Sequence, residues 1–166
     1  MLECQGHTIL LVEDNPNDEE LTRLAFERNN ITNPMIIARD GAEALDYMFG
    51  TGQYNGRDTL DLPQVVILDL KLPKVDGLEV LRRIRTDERT KRTPIVILTS
   101  SKEDRDIIEA YDLGTNAYVR KPVDFVQFTE AVRQLGLFWL LLNVPPVNLV
   151  KTQAGKDHET IESLDR

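Results

Sequence analysis

Charged and hydroxyl side chains stand where the apolar segments of this sequence end. The apolar segments and these side chains are HTILLV before Glu13-Asp14, VVIL before Asp69, PIVIL before Thr99 and AYVR before Lys121. If the segments are parallel strands of one sheet, the side chains share the edge where such sheets bind ligands. Three carboxylates brought together repel each other and raise one another's pKa, so a cation must offset them. Lys121 is one candidate, and Mg²⁺ is the other because it prefers oxygen ligands.

This set of residues indicates phosphoryl transfer. With Mg²⁺ and a lysine present, the Asp69 carboxylate can attack a phosphorus atom. The phosphoryl oxygens would then face the Mg²⁺ ion, the Lys121 ammonium and the Thr99 hydroxyl. The sequence therefore predicts that a buried strand holds Asp69 rigidly so that it can be phosphorylated.

The elements that must position these residues alternate along the chain. The predicted strands cover 7–14, 34–38, 65–69, 94–100 and 117–121, and the helices begin at Asn15-Pro16, Asp40, Asp76, Lys102 and Asp124. This alternation predicts right-handed βαβ units, and the nearly continuous apolar strands are typical of a sheet covered on both faces. The predicted fold is α/β: a doubly wound, five-stranded parallel sheet of the flavodoxin-like type, with a C-terminal extension. The Gly-rich loop 50–63 is long for a compact domain and is a candidate functional segment.

Composition narrows the class of protein. The 166 residues suffice for one domain, and the net charge of −8 argues against nucleic acid as a partner. No secretion signal and no apolar run long enough to span a membrane are visible. A single cysteine, Cys4, excludes an internal disulfide. We therefore expect a cytoplasmic protein that binds neither nucleic acid nor membrane.

The motifs together resemble the receiver domain of two-component response regulators, the CheY-like family. The matching segments are VEDN, LDLKLPKVDG, LTS and YVRKP, and the match covers residues 7–136. The resemblance implies that Asp69 accepts a phosphoryl group from a histidine kinase in a Mg²⁺-dependent phosphorelay. It also implies a signalling protein and not an enzyme, apart from self-catalysed phosphotransfer and dephosphorylation.

The resemblance also assigns a metal site. Asp14, Asp69 and the backbone carbonyl of Lys71 would bind Mg²⁺, with help from Glu13 through water. Mn²⁺ or Ca²⁺ would substitute for it in vitro. Glu13 stands where the family more often has aspartate, and Leu72 stands where methionine is common.

Other residues would sense the phosphoryl group. Thr99 would move toward it, Tyr118 would rotate inward behind Thr99, and Lys121 would contact a phosphoryl oxygen. The Lys121-Pro122 peptide bond is usually cis in this family. Lys71 and Ser101 match positions that tune the lifetime of the aspartyl phosphate.

The C-terminal part of the sequence predicts a surface for output. We expect a receiver domain over 1–140 and, over 141–166, an arm with a disordered end at 151–166. About thirty residues follow the last amphipathic helix, too few for a DNA-binding domain, so a single-domain regulator would act by protein–protein contact. The segment LFWLLLNVPPVN is apolar all round, which predicts a homodimer. The residues assigned to that dimer arm are Phe138, Trp139, Leu140, Val144 and Pro145. The alternative is an arm that folds back over its own domain.

A narrower resemblance concerns the partner. The long loop 50–63 and the NVPPVN segment together resemble the small response regulators that partner cyanobacterial phytochromes and related bacteriophytochromes. The resemblance implies a light-sensing histidine kinase as the partner.

Other functions were weighed against this one. A haloacid-dehalogenase-type phosphatase would need a second acid where Lys71 stands, and a flavodoxin-like flavin binder would need a neutral phosphate loop where EDNPND stands. A pseudo-receiver that docks without phosphorylation remains the alternative function. Individual residues also have structural explanations: Glu13 and Asp14 as a helix cap, Tyr118 as packing, and Lys121 as a solvated turn residue.

Overall fold

The computed structural model describes residues 8–146. Its strands are β1 (Ile9–Val12), β2 (Met35–Ala38), β3 (Val65–Leu68), β4 (Ile95–Thr99) and β5 (Ala117–Arg120). They form one sheet in the order β2-β1-β3-β4-β5, and every neighbouring pair is parallel. The order reverses between β1 and β3, which is the switch point of a doubly wound sheet. The predicted fold is confirmed.

The helices are α1 (Pro16–Arg28), α2 (Gly41–Phe49), α3 (Gly77–Thr86), α4 (Asp104–Asp112) and α5 (Phe125–Gly136). Alternate strand residues point to opposite faces, so the sheet has two apolar layers. Leu10 and Val12 pack with α2, α3 and α4, whereas Ile9 and Leu11 pack with α1 and α5. Among residues 8–146, none of the helices has the length and apolar character that a membrane crossing requires.

The predicted caps fix where three helices begin. Asn15 accepts hydrogen bonds from the N–H groups of Asn17 and Asp18, and Asp124 accepts one from Gln127. At α2, Asp40 accepts the N–H of Glu43, and the Glu43 side chain accepts the N–H of Arg39. These bonds satisfy N–H groups that a helix start leaves without partners.

Loop 50–63 is held in place by several contacts, most of them made by one side chain. Arg57 donates hydrogen bonds to the backbone carbonyls of Tyr47, Met48, Asp58 and Asp61. Its guanidinium also lies 4.2 Å from the centre of the Tyr47 ring. A short 3₁₀ turn, Gly52–Tyr54, lies within the loop. The loop is thus fastened to the end of α2 by polar contacts, and its Tyr54 and Leu62 side chains also pack against the core.

The segment after α5 divides its apolar side chains between the domain and the surface. A π-helical turn, Leu137–Leu142, continues α5, and Asn143 then has an extended backbone. Leu140 is buried in the layer formed by α1 and α5, Trp139 packs against that layer, and Gln64 donates hydrogen bonds to both backbone carbonyls. The prediction that Leu140 belongs to a dimer arm is therefore wrong, because its side chain completes the domain's own core.

The remaining apolar side chains of this segment are exposed. Phe138 is 49% exposed, Leu141 68%, Leu142 72% and Val144 86%, and Pro145 is half-buried. The expected end of the arm and the expected disorder of 151–166 lie outside the described residues.

Candidate functional site

The carboxylates predicted from the sequence meet at one edge of the sheet. Val12 and Leu68 are paired across β1 and β3, so Glu13 and Asp69, the next residues, are level with each other. Ligand oxygens of Glu13, Asp14 and Asp69 all lie within 4.8 Å of one another. Glu13 and Asp69 are buried, whereas Asp14 is exposed. Two of the three carboxylates are therefore held inside the protein, and the third is accessible to solvent.

The sheet hydrogen bonds continue past the strand ends and fix the backbone of the site. The N–H of Asp69 donates to the carbonyl of Val12 at 3.0 Å, and the N–H of Lys121 donates to the carbonyl of Thr99 at 2.8 Å. Behind Asp69, Gly77 at the start of α3 comes so close that a Cβ atom there would lie 2.3 Å from the Asp69 carbonyl oxygen. Only glycine fits this contact, which packs α3 against the backbone of Asp69.

Lys121 binds several carboxylates at once. Its Nζ atom lies 2.6 Å from Glu13, 2.9 Å from Asp18 and 3.1 Å from Asp69. The side chain is 8% exposed, so Lys121 is not a solvated turn residue. We call Lys121, Glu13, Asp18 and Asp69 the lysine cluster. Sequence analysis missed Asp18, although its place one helical turn after Asp14, in the first turn of α1, could have indicated it.

The peptide bond between Lys121 and Pro122 is trans, because the structure contains no cis bond over the residues it describes. The prediction of a cis bond at this position is therefore contradicted. Trans is the intrinsically favoured isomer before proline, and Lys121 reaches all three carboxylates with it.

The electrostatics of the lysine cluster follow from its burial. Burial raises the pKa of Glu13 to about 7, and the charge of Asp69 acts in the same direction, whereas Lys121 opposes it. For Lys121, burial works to lower the pKa, but the hydrogen bond to Glu13 and the charges of Asp69 and Glu13 raise it above its ordinary value. Lys121 therefore stays charged at neutral pH, and the charge of Glu13 changes near pH 7.

The donor set fits a hard divalent cation. Glu13, Asp14 and Asp69 offer carboxylate oxygens within mutual reach, and oxygen-only ligation by a few carboxylates is typical of Mg²⁺ sites. The role predicted for the Lys71 carbonyl stays a prediction. The Lys71 N–H donates to an oxygen of Asp69 at 3.4 Å, so the backbone of this residue is in contact with the Asp69 carboxylate.

The predicted sensing residues lie beside the carboxylates. Thr99 is fully buried, and its hydroxyl accepts the N–H of Ser101 at 3.3 Å. The Tyr118 hydroxyl is buried without a hydrogen-bond partner among the described residues. Burial raises the pKa of Tyr118, and the neighbouring Ser101 hydroxyl opposes that change. Tyr118 also packs against the core, so the sensing role predicted for it stays a prediction.

The chain is similar to known proteins in sequence and in structure. Residues 9–133 match the model of the response regulator receiver domain. Response regulator Rcp1 of Synechocystis sp. is 36% identical over 132 residues, which cover 80% of this chain and 88% of Rcp1. The Mn²⁺-bound crystal structure of Rcp1 superposes with a TM-score of 0.79 over 85% of this chain and 99% of that one.

Two further solved structures are similar. The phosphorylated cyanobacterial phytochrome response regulator RcpA has a TM-score of 0.79 and is 36% identical, over 85% of this chain and 99% of that one. The bacteriophytochrome response regulator AtBRR has a TM-score of 0.65 and is 54% identical, over 83% of this chain and 98% of that one.

Proposed function

Because the chain belongs to the response regulator receiver family, we propose that Asp69 accepts a phosphoryl group from a histidine kinase. Receiver domains are signalling modules and not classical enzymes. One observation carries the assignment to Asp69: its carboxylate lies 3.1 Å from the buried Lys121 ammonium and within ligand distance of two further carboxylates. Lys121 supplies positive charge where a phosphoryl group would arrive, and the remaining carboxylates offer ligands to a divalent cation.

The chemistry of transfer follows from the geometry. An Asp69 oxygen attacks phosphorus, and the bond between phosphorus and the kinase's histidine nitrogen breaks, with its electron pair returning to the nitrogen. The Lys121 ammonium donates to a phosphoryl oxygen instead of to Asp69, and the Thr99 hydroxyl donates to another. Mg²⁺, held by Glu13, Asp14, Asp69 and the Lys71 carbonyl, would supply further neutralisation of charge on the phosphoryl oxygens.

The same contacts support a conformational response. Thr99 is fully buried at the end of β4, and Tyr118 on β5 has a buried hydroxyl without a partner. A shift of Thr99 toward the phosphoryl group would open space behind it, and an inward rotation of Tyr118 would fill that space. Phosphorylation would in this way alter the surface near β5.

The test of the phosphoacceptor is an intact-mass measurement. The chain is incubated with Mg²⁺ and a small acyl phosphate donor, and the mass is expected to increase by one phosphoryl group. Asp69→Asn is expected to show no increase. A wild-type chain that gains no mass would contradict phosphorylation and favour docking without it.

The partner is proposed from the relatives. RcpA and AtBRR are, by their descriptions, response regulators of a cyanobacterial phytochrome and of a bacteriophytochrome. We propose a phytochrome-type histidine kinase as the phosphoryl donor and, from the receiver family alone, a cytoplasmic location. Transfer to Asp69 from such a kinase should depend on the light state of the kinase, and light-independent transfer would contradict this partner.

We propose that the chain forms a homodimer through the exposed apolar side chains after α5. This surface is smaller than the one that the sequence indicated. Phe138, Leu141, Leu142 and Val144 expose apolar side chains on one short segment, whereas Leu140 is buried. Exposed apolar side chains in such proximity favour protein–protein contact. The division into a receiver at 1–140 and an arm from 141 onward is kept as part of this proposal.

Light scattering tests the dimer. Replacement of Leu141 and Leu142 by serine leaves the core residue Leu140 in place, and it is expected to halve the measured mass. Glu130→Ser, at an exposed site on α5, is the matched control that should keep the wild-type mass. Measurement with and without Mg²⁺ and beryllofluoride shows whether the dimer depends on phosphorylation. A doubly substituted chain with the wild-type mass would contradict the proposal.

A further inference from the structure

A buried carboxylate lies next to the phosphoacceptor site without belonging to it. Asp106, in the first turn of α4, is 5% exposed, whereas the side chain of Asp104 in the same turn is 92% exposed. The Ser101 hydroxyl donates to Asp106 Oδ2 at 2.5 Å, and the Lys71 ammonium lies 3.4 Å from the same oxygen. We call Asp106, Ser101 and Lys71 the Asp106 cluster.

The two partners of Asp106 are also the two residues in backbone contact with the reacting groups. The Lys71 N–H donates to Asp69 Oδ1 at 3.4 Å, and the Ser101 N–H donates to the Thr99 hydroxyl at 3.3 Å. The backbone N–H of each partner thus contacts Asp69 or Thr99, whereas its side chain contacts Asp106. One carboxylate of α4 therefore restrains both loops that border the position of a phosphoryl group.

The negative charge of Asp106 and the positive charge of Lys71 explain why Asp106 restrains the Lys71 side chain. The Ser101 hydroxyl, and after it the Lys71 ammonium, hold the pKa of Asp106 below its ordinary value against the opposite effect of burial. Asp106 is therefore ionised at neutral pH. The Lys71 side chain is 56% exposed and makes no other ion pair among the described residues, so Asp106 is what directs its ammonium.

We propose that Asp106 is a positioning residue that shortens the lifetime of the phosphoryl group on Asp69 by drawing the Lys71 ammonium away from it. This inference rests on the proposed function. In hydrolysis, a water oxygen forms a bond to phosphorus while the bond to the Asp69 oxygen breaks. The electron pair of that bond returns to the carboxylate, and inorganic phosphate leaves with the protons of the water. An ammonium that paired with the phosphoryl oxygens would stabilise the phosphorylated state and cover the face that water attacks.

The experiment is a decay measurement on four chains. Wild type, Asp106→Asn, Lys71→Ala and the double variant are loaded from a small acyl phosphate with Mg²⁺, the donor is removed, and the loss of the phosphoryl group is followed by intact mass. Asp106→Asn is expected to decay about two- to tenfold more slowly, the range set by one partly exposed ion pair. Lys71→Ala keeps the backbone of this residue and removes the ammonium, so it provides the background in which Asp106→Asn has no side chain left to release.

The decisive comparison is between the effect of Asp106→Asn in the wild-type chain and its effect in the Lys71→Ala chain. Without Lys71, adding Asp106→Asn should produce no further slowing, whereas a purely structural role of Asp106 would slow or speed both backgrounds equally. Asp104→Asn on the same turn is the matched control and should decay like wild type. If Asp106→Asn fails to fold, Asp106→Ser replaces it in both backgrounds, and slowing that is equal with and without Lys71 contradicts the restraint.

The outcomes separate this inference from the proposed function. A wild-type chain that cannot be loaded contradicts both. A chain that loads normally, but decays equally fast with Asp106 or with asparagine at that position, contradicts only the role of Asp106.

Discussion

Asp69 belongs to one charged cluster and contacts a second one, and the two clusters are built in opposite ways. In the lysine cluster, one buried cation binds three carboxylates, whereas in the Asp106 cluster one buried carboxylate binds a cation and a hydroxyl. The lysine cluster includes the phosphoacceptor itself. Among the described residues, the Asp106 cluster contacts the Asp69 carboxylate through the Lys71 N–H and the Thr99 hydroxyl through the Ser101 N–H. Under the two proposals, the first cluster would make phosphorylation possible and the second would adjust how long it lasts.

The largest effect is expected from removing the cation of the lysine cluster. Lys121→Ala leaves Glu13 and Asp69 buried without their counter-ion, so the free energy of unfolding should fall by about 3 kcal/mol in metal-free buffer. A divalent cation should restore part of the loss. Urea unfolding with and without Mg²⁺ measures both effects.

A matched control is Lys91→Ala, which removes only a surface pair with Glu88 and should cost less than about 1 kcal/mol. Lys121→Ala should also lose any change in shape on phosphorylation. If Lys121→Ala had wild-type stability and still changed shape on phosphorylation, Lys121 would have no role in either property.

The next effect concerns the metal. Glu13→Gln removes a buried carboxylate of the candidate metal site, so Mg²⁺ affinity should fall about 10- to 100-fold. Titration calorimetry gives the affinity directly. Glu20→Gln, at an exposed position of α1, is the control. Unchanged Mg²⁺ affinity in Glu13→Gln would exclude Glu13 from the metal site.

The pH dependence of metal binding follows from the same residue. The pKa of Glu13 is raised to about 7, so below that pH the metal must displace a proton, and above it the carboxylate is already charged. Mg²⁺ affinity should therefore weaken as the pH falls through about 7, by up to about tenfold per pH unit. In Glu13→Gln this dependence should flatten. An affinity that stays constant between slightly acidic and slightly alkaline buffer would show that Glu13 does not control the charge of the site.

The smallest effect is expected at the outer member of the lysine cluster. Asp18 contacts Lys121, but its side chain is 25% exposed. Asp18→Asn should change the rate of phosphorylation by only a few-fold and leave Mg²⁺ affinity unaltered, because Lys121 keeps Glu13 and Asp69. A loss as large as that of Lys121→Ala would mean that Asp18 takes part in the reaction directly.

The fold and the position of the main site residues could be predicted because strand ends and helix caps are local signals. Glu13, Asp69, Thr99 and Lys121 each follow an apolar run, and the parallel arrangement brings them together. Asp18 and Asp106 could not be found in this way, since both lie on helices whose orientation depends on packing. The same limit applies to Leu140, which looked like part of an exposed arm until its place in the core was known.

The most direct test identifies the phosphorylated residue itself. The chain is phosphorylated with Mg²⁺ and a small acyl phosphate, reduced with borohydride, digested, and sequenced by mass spectrometry. Reduction of an aspartyl phosphate yields homoserine, and the account predicts homoserine at position 69 alone. Homoserine at position 14 or 18, or at none of these positions, would contradict the central claim that the buried strand presents Asp69 as the phosphoacceptor.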